Sequence, residues 1–177
     1  IKFVVRNIYD PSIEQELNGA FDIIVLKDVI EHIPDQPRLI GWMKKFLKPD
    51  GVIFFGFPPW YMPFGGHQQM CHTTISRLPW IHLLPRPVYK WILEKKKEPV
   101  NDMMEIRDTR ITIERFERIC RESGYEIENK RHYLLNPIYE WKFGWRPRKQ
   151  IWPLRSIPFF RNFLTTCVYY IITPKKG

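Results

Sequence analysis

Two short apolar runs constrain the fold of this chain more than any other feature. Residues 21–26 (FDIIVL) and 52–57 (VIFFGF) are rich in β-branched and aromatic residues. Such runs are typical of strands buried on both faces of a parallel sheet. Between them, apolar residues at helical spacing predict a helix, and residues 49–51 (PDG) predict a turn into the second strand. That helical stripe consists of Leu39, Ile40, Met43, Phe46 and Leu47. The pattern predicts an α/β fold built on a layered sheet.

Further elements extend this pattern toward both ends of the chain. Residues 1–5 (IKFVV) predict a strand at the N-terminal end. Thr112 is placed to cap a helix that ends at Gly124. Apolar and polar residues alternate over residues 125–128, as in an edge strand, and residues 168–172 (VYYII) predict a last strand.

Composition restricts the class of protein and its compartment. The chain has 177 residues, of which 44% are hydrophobic, which is enough to form a packed core and excludes a disordered chain. No apolar stretch approaches the roughly 18 residues that a membrane-spanning helix needs. Cys71, Cys120 and Cys167 are odd in number and widely spaced, which argues against a disulfide framework. We therefore predict a cytoplasmic protein.

Aromatic residues and prolines concentrate in two parts of the chain. They crowd into residues 58–87 and 133–163, away from the predicted strands and helices. The connection between the last two predicted strands is about 35 residues long, and connections of that length are more often functional than accidental. Both parts are therefore interpreted as insertions that form surface.

The strongest motif is FDIIVLKDVIEHIPD at residues 21–35, followed by LKPDG at residues 47–51. This block resembles class I S-adenosylmethionine-dependent methyltransferases, and it is closest to the small-molecule branch that includes quinone-biosynthesis enzymes. The later segments TIERF (residues 112–116) and ESGY (residues 122–125) are similar to the family's last helix and sixth strand. The resemblance implies a Rossmann-like, mostly parallel sheet with an antiparallel C-terminal strand, and S-adenosylmethionine as the cofactor.

One departure from the family is large. The glycine-rich loop after the family's first strand, and the acidic residue after its second strand, have no counterpart here. In a complete member both lie upstream of the position of residues 1–5. The resemblance therefore implies that residues 1–177 are the C-terminal part of one methyltransferase domain whose N-terminal strands are missing, with lid or substrate insertions at about residues 58–108 and 133–163.

The resemblance also implies which residues hold the cofactor, and they follow the carboxyl ends of strands, where ligands bind in open α/β sheets. Asn7 and Ile8 follow the first predicted strand, and the family has at the position of Asn7 an acidic residue that contacts the adenine amino group. Lys27 and Asp28 match the place where the family's backbone meets the methionine part of the cofactor. His32 matches a residue that faces the cofactor.

Ordinary structural roles stay open for the same residues. Asn7 is also suited to a turn, and Asp28 is also suited to cap a helix over residues 29–33. In such a helix Glu31 and His32 would lie on the same side as Asp28, since they follow it by three and four positions. A histidine in that position is often a structural residue.

Methyl transfer to an oxygen requires a base, and histidine is the commonest choice. Two histidines, His67 and His72, lie in residues 65–72 (GGHQQMCH) after the third predicted strand. The two glycines allow a sharp turn beside the site, which favours His67 as base or substrate contact. We predict His67 as catalytic, with His32 as the second catalytic candidate. The alternative is an ordinary loop histidine.

A metal site is the other interpretation of these residues. Some relatives that methylate RNA ends or quinone precursors bind a divalent ion with a Glu and a His after the fourth strand and a later His. Glu31, His32 and either His67 or His72 can imitate that set. Cys71 with the two loop histidines suggests zinc, but the spacing is not that of a zinc finger, and a lone cysteine is more typical of a small buried hydrophobe. The sequence therefore favours a site without a metal.

The charge and aromatic content of the insertions indicate which class of molecule accepts the methyl group. The net charge is +9, and residues 130–161 hold eight basic residues against one acid, with aromatic residues interleaved. Aromatic and basic residues together suit an anionic membrane surface and hence a small or lipid-like acceptor. They also suit RNA, although no known RNA-binding module is present. The predicted function is a methyltransferase acting on a small or lipid-like molecule; the alternatives are an RNA methyltransferase and a non-catalytic binding module of the same fold.

Overall fold

A five-stranded sheet organises the protein, whose computed structural model describes residues 3–175. The strand order is β1-β2-β5-β3-β4. β1 and β2 pair in parallel, whereas β5 is antiparallel to both β2 and β3, and β4 is antiparallel to β3. β1, β2 and β3 therefore point in one direction. The strands are β1 (Phe21–Lys27), β2 (Leu47–Phe57), β3 (Tyr125–Leu135), β4 (Arg148–Lys149) and β5 (Cys167–Pro174).

The helices follow the sheet in an alternating order that confirms the α/β class, with its antiparallel C-terminal strand. They are α1 (Pro11–Leu17), α2 (Gln36–Met43), α3 (Arg86–Lys95), α4 (Val100–Thr109), α5 (Ile113–Glu122), α6 (Ile138–Phe143) and α7 (Trp152–Arg155). Single 3-10 turns cover Ile30–His32, Lys44–Phe46, Gln68–Met70, Ile81–Leu83 and Phe160–Asn162. Within residues 3–175, none of the helices combines the length and the apolar character needed to cross a bilayer.

Two helices form where the sequence predicts them, but the first is shorter than its apolar stripe, since α2 ends at Met43, Phe46 lies in a 3-10 turn and Leu47 begins β2. The Asp35 carboxylate caps α2 by accepting the Arg38 N–H at 3.1 Å, and the five apolar residues of the predicted stripe are all buried. The Thr112 hydroxyl caps α5 by accepting the Arg115 N–H at 3.1 Å. α5 is followed by Gly124 at φ +75°, a backbone conformation that favours glycine.

The main core lies between the sheet and helices α2 and α5. Phe116 of α5 packs its ring against Phe55, Phe57 and Tyr170, with centroid distances of 5.0, 4.9 and 4.8 Å. All four side chains are fully buried. Each such side chain contributes roughly 1.5–3 kcal/mol of hydrophobic stabilisation. This core fixes β2 and β5 at the centre of the sheet.

The first insertion has a core of its own. Trp60 and Ile81 of the loops pack with Tyr89 and Leu93 of α3 and with Met103 of α4, and all five are buried. The part of the chain predicted only to form surface therefore folds as a small helical layer.

β1 contradicts the prediction that it is buried on both faces. Phe21, Ile23 and Val25 are 38%, 60% and 63% exposed, because β1 is the outer strand of the described sheet. An apolar cavity of about 350 Å³ borders β1 on one side and is lined by Ile13 of α1 and Phe46, among others.

Three local predictions are also wrong. Residues 3–5 form no strand, and Phe3 and Val5 are 90% and 99% exposed, because no neighbouring strand pairs with them; Ile1 and Lys2 lie outside the described residues. Residues 49–51 form no turn but belong to β2, which has a bulge between Leu47 and Val52, the partners of Phe21 and Ile23 in β1. β3 is not an edge strand, since it lies between β5 and β4.

Candidate active site

The carboxyl end of β1 carries the central candidates. Lys27 pairs with Gly56 of β2, and the Asp28 N–H donates to the Gly56 carbonyl at 2.7 Å. Asp28 then adopts a left-handed conformation (φ +53°), which turns the chain away from the sheet. The predicted helix over residues 29–33 is a single 3-10 turn, Ile30–His32, and Asp28 does not cap it. The Asp28 carboxylate instead pairs with the Lys27 ammonium.

The 3-10 turn is held from two sides. The Gln36 side chain, fully buried in α2, donates to the Ile30 carbonyl at 3.2 Å. The Thr109 hydroxyl at the end of α4 donates to the Glu31 carbonyl. These bonds fix the backbone of Glu31 and His32, so their side chains extend from a rigid turn.

Glu31 is a buried carboxyl group without hydrogen-bond partners. The residue is 2% exposed, and neither carboxylate oxygen has a partner among the described residues. Burial raises the pKa of Glu31 to about 7, and the nearby Asp28 charge adds to that rise. An unsatisfied buried carboxyl group is costly for stability, which makes it a candidate for chemistry.

His67 joins Glu31 and His32 from the loop after β2. Its Nε2 lies 3.9 Å from Glu31 Oε1, and its ring centroid lies 5.1 Å from that of His32. Burial lowers the pKa of His67 to about 4, and the neighbouring His32 adds to this effect. His67 is therefore neutral near pH 7 and keeps a free lone pair.

The loop that carries His67 depends on the two glycines before it. A Cβ on Gly65 would lie 2.2 Å from the Trp60 carbonyl oxygen, and one on Gly66 would lie 2.5 Å from the Cβ of His82. His67 itself has φ +54°, and its N–H donates to the Phe64 carbonyl at 3.0 Å. The turn is therefore possible only without side chains at both glycine positions.

Gln68 and His82 support this loop, and sequence reasoning missed both. The Gln68 Nε2 lies 2.8 Å from Nδ1 of His82, and the His82 Nε2 lies 2.8 Å from the Trp60 carbonyl oxygen. Gln68 also donates to the Pro63 carbonyl at 2.8 Å. No local pattern in the sequence signals these contacts, because their partners lie up to 22 residues apart.

His72 lies in a different place from His67. Its side chain is 78% exposed, and its Nδ1 lies 3.1 Å from Glu98 Oε2. Cys71 is buried, and burial raises the pKa of its thiol to about 11, which makes it unreactive. The zinc interpretation through Cys71 therefore has no support from the geometry of the described residues.

Asn7 and Ile8 make other contacts than the residues of this cluster. The Asn7 side-chain oxygen accepts the Tyr9 N–H at 3.1 Å, as in an Asx turn, and the Ile8 carbonyl accepts the indole N–H of Trp42 at 2.7 Å. Within residues 3–175, no hydrogen bond or ion pair joins either residue to Asp28 or His32. Of the residues predicted from the sequence, the structure brings together Lys27, Asp28, His32 and His67.

The cluster also has the composition of a metal site. One ligand atom from each of Glu31, His32 and His67 lies within 4.8 Å of the other two. One carboxylate and two imidazoles are ligands that zinc, manganese or iron accept. The two unpartnered oxygens of Glu31 fit such an ion. These three residues could therefore hold a divalent cation.

Comparison with known proteins gives one family match over most of the chain. Residues 1–130 match the model of a methyltransferase domain. A ubiquinone biosynthesis O-methyltransferase of Neisseria meningitidis is 22% identical over 125 residues, which are 68% of this chain and 43% of the relative. Another, of Pasteurella multocida, is 49% identical over 42 residues, which are 24% of this chain and 17% of the relative. The matched segments cover less than half the length of these curated relatives.

Solved structures with a similar arrangement are more distant. A methyltransferase of Thermotoga maritima, described as a possible histamine N-methyltransferase, has a TM-score of 0.47 at 13% identity, and the match covers 89% of this chain and 57% of the other. A phosphoethanolamine N-methyltransferase of Haemonchus contortus has a TM-score of 0.42 at 14% identity, and the match covers 90% of this chain and 34% of the other.

Proposed function

Because the chain belongs to the class I S-adenosylmethionine-dependent methyltransferases, we propose that it methylates a small or lipid-like acceptor at the cluster of Glu31, His32 and His67. One observation carries this proposal. At the carboxyl end of a strand that is parallel to its neighbour, a neutral histidine faces a buried carboxyl group that has no hydrogen-bond partner. Such ends are where ligands bind in α/β sheets.

When bound, S-adenosylmethionine would supply a methyl group activated by a sulfonium, with the thioether as the leaving group. An acceptor hydroxyl would have to lose its proton. His67 takes this proton on Nε2, whose lone pair is free in the neutral imidazole, and the nearby Glu31 carboxyl group offsets the weaker basicity that burial gives the ring. Glu31, with Oε1 at 3.9 Å, then stabilises the imidazolium that forms.

Lys27, Asp28 and His32 hold the cofactor in this proposal. The Lys27 and Asp28 side chains are 32% and 53% exposed and pair with each other at the strand end. The methionine part of the cofactor carries one ammonium and one carboxylate. Its ammonium can pair with Asp28 and its carboxylate with Lys27, in place of the contact between the two residues. Asn7 and Ile8 contact the adenine in this proposal. Because the Asn7 amide oxygen accepts the Tyr9 N–H, its amide nitrogen would donate to a ring nitrogen of the adenine rather than accept from the amino group.

A direct test uses the full-length protein. Calorimetric titration with S-adenosylmethionine should show one site, and label from its methyl group should pass to a member of a panel of phenols, catechols and amines. A protein that binds the cofactor and methylates no member of the panel would contradict the proposed acceptor class. A protein that binds no cofactor would favour a non-catalytic module.

The second candidate role for the cluster is metal binding, which the ligand geometry of Glu31, His32 and His67 supports. A bound divalent ion would orient and acidify an acceptor hydroxyl. Chelator treatment followed by addition of Mg²⁺, Mn²⁺ or Zn²⁺ separates the two roles. Transfer that survives chelation supports His67 as base. Transfer that is lost and then restored by one ion supports the metal.

The free edge of β1 supports the proposal that residues 1–177 form the C-terminal part of a larger methyltransferase domain. β1 is the outer strand of the described sheet, and such edges readily pair with further strands. Hydrogen exchange in the full-length protein tests this. The amides of β1 should be protected as strongly as those of β2, and rapid exchange in β1 would contradict added strands. Residues 58–108 and 133–163 act as lid and substrate insertions in this proposal.

Surface chemistry supports a lipid-like acceptor and peripheral membrane contact. Trp141, Trp152 and Phe160 are 83%, 69% and 63% exposed and lie in the basic second insertion. Trp141→Ala should weaken sedimentation with anionic vesicles, whereas Trp91→Ala in α3, a residue 58% exposed, should not. Tight RNA binding that falls steeply with salt would favour the RNA methyltransferase instead.

A further inference from the structure

A cavity of about 600 Å³ lies between the loop after β2 and helix α6. Phe64 contributes one wall, and Tyr139, Phe143 and Trp145 contribute the other. The ring of Phe143 lies 5.6 Å from that of Tyr139 and 5.4 Å from that of Trp145. This volume is within the range of small-molecule sites, about 300–1,000 Å³.

Two cations line the same cavity. Arg77 and Lys142 are both exposed, and no acidic side chain lines the cavity with them. Within residues 3–175, neither of the two forms an ion pair. A cavity with aromatic walls and two unpaired positive charges is complementary to a molecule with an apolar body and an acidic group.

The cavity adjoins the loop that presents His67. Pro63 and Phe64 line it before His67 in the chain, and Gln69 lines it after His67. Phe64 accepts the His67 N–H, and Pro63 accepts a hydrogen bond from Gln68. The same turn therefore forms part of the cavity wall and carries the candidate base, although His67 itself is not among the lining residues.

We propose that this cavity binds the body of the methyl acceptor, that the acceptor is an amphipathic anion with an aromatic or alkyl body, and that its reactive end extends past the turn to His67. The body packs between Phe64 and the aromatic side chains of α6, and the acidic group lies near Arg77 and Lys142. The assignment of the ligand as the acceptor rests on the proposed function, whereas the binding of an amphipathic anion does not.

Anilinonaphthalene sulfonate is a suitable probe, because it has an aromatic body and one acidic group and fluoresces in apolar surroundings. It should bind the full-length protein at one tight site. The double variant Arg77→Gln/Lys142→Gln should weaken it by about tenfold or more, which corresponds to ~1.4 kcal/mol. The uncharged N-phenylnaphthylamine should bind both proteins equally, which shows that the cavity is intact.

Arg148→Gln/Lys149→Gln is the matched control, since it removes two exposed charges of β4 outside the cavity. Equal weakening by the two double variants, or no weakening by the first, would overturn the site. In the transfer assay the sulfonate should compete with the acceptor and not with S-adenosylmethionine. If transfer proceeds without such competition, the cavity is not the acceptor site. If no transfer occurs at all, the proposed function fails while the probe titrations still decide the site.

Discussion

Two buried carboxyl groups in this protein have opposite surroundings. Glu98, 6% exposed, accepts hydrogen bonds from the backbone N–H groups of His72 and Thr73, from the Thr73 hydroxyl and from the His72 ring. Burial acts to raise its pKa, but these hydrogen bonds lower it to about 2. Glu31, 2% exposed, has no such partner, and its pKa is raised to about 7.

Two histidines, His82 and His67, differ in the same way. Both ring nitrogens of His82 lie 2.8 Å from a hydrogen-bond partner, whereas Nε2 of His67 has only Glu31 at 3.9 Å. A polar group whose hydrogen bonds are satisfied holds the loops in place, because removing it leaves buried partners unpaired. A group whose hydrogen bonds are not satisfied contributes little to stability and is free to bind or react. The contrast separates a structural region from a candidate active site.

The largest expected effect is on catalysis at His67. His67→Ala should lower the rate of methyl transfer by about 100-fold or more, because the base is removed. The measurement is the initial rate with labelled S-adenosylmethionine. His72→Ala is the control and should keep the wild-type rate, since its ring is exposed and pairs with Glu98 instead of Glu31. Equal losses in the two variants would contradict the assignment.

The next effect is on stability at His82. His82→Ala should lower the free energy of unfolding by about 3 kcal/mol, because the Gln68 amide and the Trp60 carbonyl lose a partner and a cavity forms. Urea denaturation measures this loss. His67→Ala should lose clearly less, since its ring has no hydrogen bond to give up. If His67→Ala is the less stable of the two, the contrast between the regions is wrong.

The carboxyl groups give a smaller difference. Glu98→Gln should cost about 2 kcal/mol, since hydrogen bonds to a charged acceptor are replaced by weaker ones. Glu31→Gln should not lower stability at neutral pH and should raise it, because a partly ionised buried carboxyl group without a partner is replaced by a neutral amide. Thermal and urea unfolding at neutral pH compare the two. A loss of stability in Glu31→Gln would show that its carboxylate is already engaged in the fold.

In the pH dependence of stability the two residues act with opposite sign. Between pH 4.5 and about 2 the unfolded chain binds the Glu98 proton more readily, so stability falls as pH falls. Between pH 4.5 and about 7 the folded chain retains the Glu31 proton, so stability falls as pH rises. The free energy of unfolding is measured against pH with a chelator present. The Glu98→Gln variant should lack the fall in stability below pH 4.5, and the Glu31→Gln variant should lack the fall between pH 4.5 and about 7. Unchanged slopes would contradict these assignments.

The strands show what the sequence can predict and where it stops. The apolar runs at residues 21–26 and 52–57 are nearly equivalent in composition, and both form strands that pair in parallel, as predicted. Yet Phe55 is fully buried and Ile23 is 60% exposed. Periodicity identifies a strand, whereas its burial depends on which elements cover it, and those contacts are long-range.

The candidate site also has some residues that the sequence predicts and others that only the structure reveals. The motif around Glu31 and His32 is local, so the sequence alone identifies both residues. His67 and His72 are similar in sequence context, and the tertiary contacts of the turn decide that only His67 reaches Glu31. Gln68 and His82 escaped prediction because their hydrogen bonds join distant parts of the chain.

Rescue of His67→Ala by added imidazole, in chelator-treated protein, tests the central claim most directly. If His67 is the base, methyl transfer should rise with imidazole concentration in the variant and stay constant in the wild type, while the affinity for S-adenosylmethionine is the same in both. A variant that imidazole does not rescue, or that has lost its affinity for the cofactor, would contradict the account.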